Sequence, residues 1–437
     1  MKYQIHTFGC KVNTYDTGLI QKNLSSAPQE PQGQVHVLNT CAVTQEATKE
    51  AVRLIRRIKS KDPFATIVVT GCAAQVDTGA FENLPGADLV VANSHKGLLP
   101  QIINQHFKGE LKEKVFKSNI FRKEDLEAGG GLEESHTRSF LKIQDGCNSF
   151  CTYCIIPYAR GKSRSIPIRE LMNRINELYD QGIREVVLTG VHIGDYQDET
   201  RKEKNALEDL IEMCLKYTQV PRFRLTSFEP PELNDRLLDL FQNPRLCPHF
   251  HMSIQSAETK VLQDMKRKYN QTDVIQSLHK ISQKVPNAFV GMDVIVGFPT
   301  ETEESFNETY RVLSEAPWTK LHVFPYSERQ GTRAALMTET VPHQERKARA
   351  QRLRELSLHR YQSEALRQIG KVKRCLVLNK EAKGANSIAH DFWPVKIKDL
   401  PQDLKGQEIS VVIENYDHSN AQLFEGFLVG SVRSELQ

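Results

Sequence analysis

The chain has 437 residues, 39% of them hydrophobic and 26% charged, with a formal net charge of +4. No apolar run reaches the roughly 20 residues a membrane-spanning helix needs, and "MKYQIHTFGC" reads as a strand rather than as a signal peptide. A cytoplasmic protein with no membrane partner is expected. Nine cysteines, an odd number with no secretion signal, argue against a disulfide framework and for metal or redox use.

Residues 1–107 alternate short β-rich runs, "YQIHTFGC", "QVHVLNTC", "TIVVTGC" and "ADLVVAN", with helical patterns such as "TQEATKEAVRLIRRIKS". That alternation predicts an α/β domain with a doubly wound parallel sheet. Three of its strands end in cysteine, at Cys10, Cys41 and Cys72. Ligands in open parallel sheets sit outside the carboxyl ends of the strands, so these thiols are expected to meet. Residues 108–137 are charged and glycine-rich and read as a linker, with Gly129–Gly131 its most flexible point.

A second α/β pattern fills 138–369. Its strand candidates are "SFLKIQ", "REVVLTG", "RFRLTS", "HFHMSIQS", "NAFVGMDVIVG" and "KLHVFPYS". They predict a full or partial β/α barrel. This region ends in a basic, helix-prone segment carrying Arg346, Lys347, Arg349, Arg352 and Arg354. A solvated helix face and a nucleic-acid contact are both open readings of it. Residues 370–437 are β-like and predict a small β-barrel of a kind that often binds nucleic acid.

The densest chemistry lies in "DGCNSFCTYCIIPYARG", where Cys147, Cys151 and Cys154 follow C-x3-C-x2-C spacing. Thiolates suit iron–sulfur clusters and zinc. Three thiolates on a four-iron cluster leave one iron open to an external ligand. A zinc site would need a fourth ligand, with His136 or Cys247 as candidates. Cys214, Cys247 and Cys375 otherwise read as packed thiols.

The C-x3-C-x2-C loop at the end of a first strand resembles the radical S-adenosylmethionine (SAM) superfamily. In that superfamily the open iron chelates SAM, and an electron cleaves it to a 5′-deoxyadenosyl radical. "FGCKVNTYD", "NTCAVT" and "TGCAAQ" resemble the N-terminal domain of the methylthiotransferases. The resemblance implies two [4Fe–4S] clusters, on Cys10, Cys41 and Cys72 and on Cys147, Cys151 and Cys154. It also implies a C-terminal TRAM-like barrel, two SAM per product, an external electron donor and a sulfur donor of unknown identity. No catalytic side chain is expected beyond the cluster ligands and bound SAM. Family positions matching SAM contacts are Tyr153, Thr189 and Gly190 in "TGVHIGDY", Ser227 and Glu229 in "TSFEP", Gln255 in "SIQS", and Arg267. Ala257 stands where relatives usually carry glycine. Phe324, Tyr326 and Arg329 of "FPYSERQGT" resemble a stretch near the family's substrate channel. The two aromatics could stack on a base or serve the core.

"GCKVN", "FCTYCIIPYARGKSRS" and "TGVHIGDY" look like the type that acts on N6-threonylcarbamoyladenosine. The implied product carries a methylthio group at C2 of that nucleoside, at tRNA position 37 beside the anticodon. The isopentenyladenosine type, and a non-enzymatic iron–sulfur RNA-binding protein, are the alternatives. The threonylcarbamoyl carboxylate calls for a pocket cation, with Arg160, Lys162, Arg164 and Arg329 as candidates and Asn13 as a further substrate contact. The basic helix and the C-terminal barrel are expected to hold the tRNA anticodon stem-loop through its phosphates.

Overall fold

The structure is a computed structural model that describes residues 3–26, 33–126, 137–198, 206–381, 384–400, 403–419 and 425–433. Strands β1 (Tyr3–Thr7), β2 (Val35–Thr40), β3 (Thr66–Gly71), β4 (Leu89–Ala92) and β5 (Val115–Phe116) form one parallel sheet in that order. β2 is buried along its whole length, so its sequence shows no inside–outside alternation. Helix α1 (Lys11–Ser25) packs Ile20 and Leu24 on the face carrying Val35, Val37 and Val68. Helix α2 (Gln45–Lys61) packs Ala51 and Ile55 on the opposite face, against Leu38, Ile67 and Val69. Thr44 starts α2, its side chain accepting a 3.2 Å hydrogen bond from the Ala47 amide. The expected doubly wound sheet is present. β5 falls within the stretch expected to be a linker, so residues 115–116 complete the sheet instead. Gly129–Gly131 lie outside the described residues.

The central domain begins with β6 (Arg138–Lys142) and a short ladder of β7 (Gln144–Asp145) with β8 (Arg164–Ser165). Then come β9 (Glu185–Thr189), β10 (Arg222–Leu225), β11 (His249–Gln255), β12 (Phe289–Val296) and β13 (Lys320–Pro325). These strands form two parallel three-stranded sheets, β10-β9-β6 and β11-β12-β13, joined through single bridges at Phe223–Leu246 and Phe228–Met252. Among the described residues β6 and β13 do not pair, so the barrel is partial. Phe250, Met252 and Ile254 of β11 point into the helix-covered core, while His251 and Gln255 line open space inside the bowl. The open edge is covered by α1. Tyr15 joins the central core, and Lys142 Nζ sits 5.1 Å from its ring centre.

The helix His343–Leu366 packs along β13, and it is not a free basic face. Arg349 is buried and pairs with Glu301 at 2.6 Å. Arg346 donates to the Val341 and Tyr326 carbonyls, and Arg354 to that of Val323. Arg352 pairs with Glu303 at 3.1 Å. Arg346 and Arg349, buried and spent on carboxylates and backbone carbonyls, are therefore not phosphate contacts, whereas Lys347, Arg352 and Arg354 stand on the exposed side of the helix.

β14 (Val372–Glu381), β15 (Gly384–Ala389), β16 (Pro394–Ile397), β17 (Glu408–Asp417) and β18 (Phe427–Val432) close a barrel in the order β14-β15-β16-β18-β17. Its core takes in Tyr361 from the long helix and Phe289 from β12, so it is fused to the central domain. Arg222 strengthens the joint, bonding Glu185 and Glu408 at 2.8 Å each and the Ala389 carbonyl at 3.2 Å. Cys214, Cys247 and Cys375 are buried, as expected of packed thiols. Among the described residues no helix is long and apolar enough to cross a membrane.

Candidate active site

β1, β2 and β3 are neighbours, so the turns that follow them bring Cys10, Cys41 and Cys72 to one corner. Two glycines permit the approach. Gly9 has φ +90°, and a Cβ there would lie 2.6 Å from Cys41 Cβ and Sγ. Gly71 has φ +93°, and a Cβ there would lie 2.4 Å from the Thr40 carbonyl oxygen. Asn13 Nδ2 donates to the carbonyls of Phe8 at 2.7 Å and Thr40 at 3.0 Å, tying the first cysteine turn to the second. Asn93 Nδ2 lies 3.6 Å from Cys72 Sγ. Burial, and then the neighbouring Cys72, push the Cys41 thiol up to about 12.

Gly71→Ala would force a left-handed backbone onto a residue with a Cβ and drive that Cβ into β2. The expected result is roughly a halving of iron per chain after reconstitution, from about eight to about four if each triad holds four irons. Iron and sulfide assays check it.

The second triad sits between β7 and β8. The Cys147 amide donates to the Gly161 carbonyl at 3.1 Å, and the Thr152 amide to the Met265 carbonyl at 3.1 Å. Arg267 lies over the loop, with Nη1 3.1 Å from Cys151 Sγ and 3.5 Å from the Tyr153 hydroxyl. Its Nη2 is 2.8 Å from Glu229 Oε1. Burial, and then Cys151, push the Cys154 thiol up to about 12. Cys147, His192 and Asp195 hold ligand atoms within 4.8 Å of one another. His192 Nε2 also bonds Glu232. Burial opposes a charge on His192, but Asp195, Cys147 and Glu232 together raise its pKa well above the ordinary value.

Sequence reasoning missed two residues here, His192 and Gln144. Gln144 Oε1 accepts from the amides of Val191 and His192 at 3.0 Å each, and its Nε2 donates to the Gly146 carbonyl at 2.7 Å. It thus pins the "TGVHIGDY" loop to the cysteine loop. A lone glutamine in a strand carries no motif signal. His192 stood inside a quoted motif, and its carboxylate partners lie up to 40 residues away. As for a fourth zinc ligand, His136 lies outside the described residues. Cys247 precedes β11, whose far end Gln255 faces Cys154 across open space. The strand between them spans roughly 20 Å, which removes Cys247 from the site.

Of the residues expected to contact SAM, all but Thr189 sit on one rim. Tyr153, Glu229 and Arg267 meet around Cys151. Ser227 and Gln255, at or just beyond strand ends, both have left-handed backbones, φ +67° and +61°. Such conformations cost of order 1–3 kcal/mol each and cluster at functional sites. At Gly190 a Cβ would lie 2.9 Å from Gln144 Oε1. Thr189 is buried, its hydroxyl 3.4 Å from that of Thr226, and lies behind this rim.

A cleft of about 350 Å³ joins the two triads. Cys10 and Cys154 both line it, with Tyr153, Gln255, Phe324 and Tyr326. Phe324 is 47% exposed and Tyr326 5%, so one ring is open to a ligand and the other backs the wall. The other expected substrate residues are placed differently. Arg160 is buried, bonded to Asp145 at 2.9 Å and to Asp16 at 3.1 Å. Asn13 is buried, with Oδ1 on Arg160 at 2.5 Å. Arg329 pairs with Asp77 at 2.7 Å, and Arg164 donates to the Arg160 carbonyl at 2.8 Å. Lys162 is exposed and outside the cleft. Arg160 and Arg329 are buried against carboxylates, Arg164 is spent on backbone carbonyls, and none of the three lines the cleft, so none is the expected pocket cation.

The same architecture appears in known proteins. Residues 141–313 match the radical SAM superfamily model, and residues 2–92 match uncharacterized protein family UPF0004. The threonylcarbamoyladenosine tRNA methylthiotransferase MtaB of Rickettsia prowazekii is 37% identical over 401 residues, 91% of each chain. The chain belongs to the MtaB family of radical SAM methylthiotransferases. A more distant branch of methylthiotransferases is also similar. The tRNA-2-methylthio-N(6)-dimethylallyladenosine synthase of Corynebacterium jeikeium is 32% identical, covering 86% of this chain and 76% of that protein. Among solved structures, the radical SAM methyltransferase TsrM from Kitasatospora setae superposes with a TM-score of 0.53 at 12% identity. It covers 74% of this chain and 68% of that one, a likeness of fold.

Proposed function

We propose that this methylthiotransferase places a methylthio group on C2 of N6-threonylcarbamoyladenosine at position 37 of tRNA. The observation that carries the reading is the shared cleft, lined by one cysteine of each triad. The nucleoside follows the relatives of 37% identity, which are named for it, over the dimethylallyladenosine branch at 32%.

The donor sets fit two [4Fe–4S] clusters, each held by three thiols. One thiol of each set, Cys41 and Cys154, is pushed up by burial and sheds its proton only to a strongly binding metal. Arg267 beside Cys151, and Arg160 near Cys10 and Cys72, place positive charge where thiolates would form. Cys10, Cys41 and Cys72 would hold one cluster, and Cys147, Cys151 and Cys154 the other. With SAM bound, these groups supply hydrogen abstraction from an unreactive aromatic C–H and delivery of the sulfur. The protein's own part is placement. Glu229, Gln255, Ser227 and Arg267 form the polar rim that orients SAM. Phe324 offers a face for the adenine. The apolar walls around Tyr153 and Tyr326 keep water from the reacting carbon. Electrons come from an external donor, a sulfur donor restores the inserted atom, and the tRNA anticodon stem-loop presents the base.

The test is nucleoside mass spectrometry. Anaerobically reconstituted protein is incubated with SAM, a reductant and tRNA carrying threonylcarbamoyladenosine, with dimethylallyladenosine tRNA in parallel. The 2-methylthio product is expected in the first alone. Product in the second alone would keep the reaction class and overturn the substrate.

A further inference from the structure

A second cavity, of about 600 Å³, lies deeper in the strand bowl, where α1, the central strands and the C-terminal barrel meet. It is lined on the strands by His251, Gly291 and His322, and on the other side by Tyr361 and Phe392. Two residues further along the same strand faces, Asp293 and Phe324 line the cleft. The two spaces are therefore successive stations along one strand surface, about 7 Å apart. Their far wall is continuous too, since Cys10 lines the cleft and the next residue, Lys11, lines the cavity.

The charges in this cavity are nearly all matched. His251 Nε2 holds Asp293 at 2.9 Å, and Lys320 pairs with Glu425. Lys11 is the exception. Among the described residues no carboxylate or hydrogen-bond acceptor lies within bonding distance of its ammonium, and Asp293, already held by His251, acts on it only through space. An unmatched cation facing a cavity walled by aromatic rings is unfavourable unless a ligand completes it.

We infer that Lys11 is the specificity-determining contact for the substrate, receiving the carboxylate of the threonylcarbamoyl group while the adenine occupies the cleft between Cys10 and Cys154. This rests on the proposed function and supplies the cation that the expected arginines do not. The N6 substituent ends in a carboxylate on a short chain, about long enough to step from one station to the next. A dimethylallyl group reaches the same place with no charge and leaves Lys11 unpaired. A site built around a polar partner rejects the analogue that lacks it far more strongly than an apolar site rejects an extra group.

Two anticodon stem-loops separate the possibilities, one with threonylcarbamoyladenosine and one with its carboxylate converted to a primary carboxamide. Wild type, K11M and K11R are compared by product formation, with kcat and KM resolved. Stem-loop binding by fluorescence anisotropy and iron content are measured alongside. Wild type should prefer the carboxylate about 10- to 100-fold, the range of one charged hydrogen bond. K11M should erase that preference through KM and through the anisotropy Kd, and K11R should keep part of it, with iron per chain as in wild type. A preference that survives in K11M overturns the assignment. Should K11M fail to load iron, wild type still decides, because equal use of both stem-loops overturns the assignment by itself. Absence of product from either stem-loop would instead overturn the proposed function.

Discussion

Cys147→Ala abolishes reductive SAM cleavage and methylthio product alike, by at least about 1000-fold, or roughly 4 kcal/mol of barrier. The reason is geometric. Cys147 is the triad member beside His192, at the opposite end of the C-x3-C-x2-C loop from Cys154. Two thiols do not hold a four-iron group in one orientation. Cys72→Ala should behave differently, with SAM still cleaved to 5′-deoxyadenosine and no methylthio product appearing. Chromatography of the cleavage products, with nucleoside mass spectrometry on the same samples, separates the two variants. Should cleavage survive in Cys147→Ala with only the N-terminal triad loaded, the roles of the two triads have been exchanged.

The second large effect is expected at Arg160. Its guanidinium bonds both oxygens of Asp145, at 2.9 and 3.0 Å, and reaches Asp16 and Asn13 in the N-terminal domain. Lys142 bonds Asp16 at 2.6 Å and Asp145 at 3.0 Å, and Lys96 adds a 2.9 Å contact to Asp16. Three cations and two carboxylates, all but Lys96 buried, thus meet at the joint between the domains that carry the two triads. Arg160→Met leaves both carboxylates short of donors and costs about 3–5 kcal/mol. Urea unfolding measures the loss, and the ratio of methylthio product to cleaved SAM should fall with it. A change within about 0.5 kcal/mol would mean the joint is held by packing alone.

The pH dependence has a definite sign. Burial opposes charge on Asp16, yet Lys142, Lys96 and Arg160 hold its carboxyl well below the ordinary range. A carboxyl depressed in the fold stabilises fully above its unfolded value of about 4 and loses that contribution as pH falls through the folded value. Wild-type stability should therefore drop more steeply below about pH 4 than that of Arg160→Met, in the same urea titrations.

These residues mark the boundary of what local pattern can convey. The cysteines were legible because ligands for one group must lie within a short loop, or at the ends of neighbouring strands. C-x3-C-x2-C reports the first arrangement, and cysteine after each of three β-runs reports the second. The sheet, the strand bowl and the closing barrel were legible for a related reason, since burial on one face or two imposes periodicity. That the bowl stays open was not, because closure depends on what covers β6. Tyr15 of α1 does so, beside an Asp16 that meets Lys142 of β6 from 126 residues away.

Arginine function was the part that pattern misassigned. Arg160, Arg164 and Arg329 looked like substrate cations, and Arg346 and Arg349 like phosphate contacts, because a sequence shows a charge and not its partner. The partners of Arg160 in α1 lie 144 and 147 residues away, and that of Arg329 lies 252 away. Lys11 is the converse case, a lysine beside a cysteine that reads as an ordinary helix start until its surroundings are known. The sequence by itself determined the family, the two sets of three thiols and the order of the domains, because each is written in neighbouring residues. Only the tertiary structure decided which cations are already matched and that both triads open on one cleft. Pairing and cavity shape arise from segments that meet after the chain has folded.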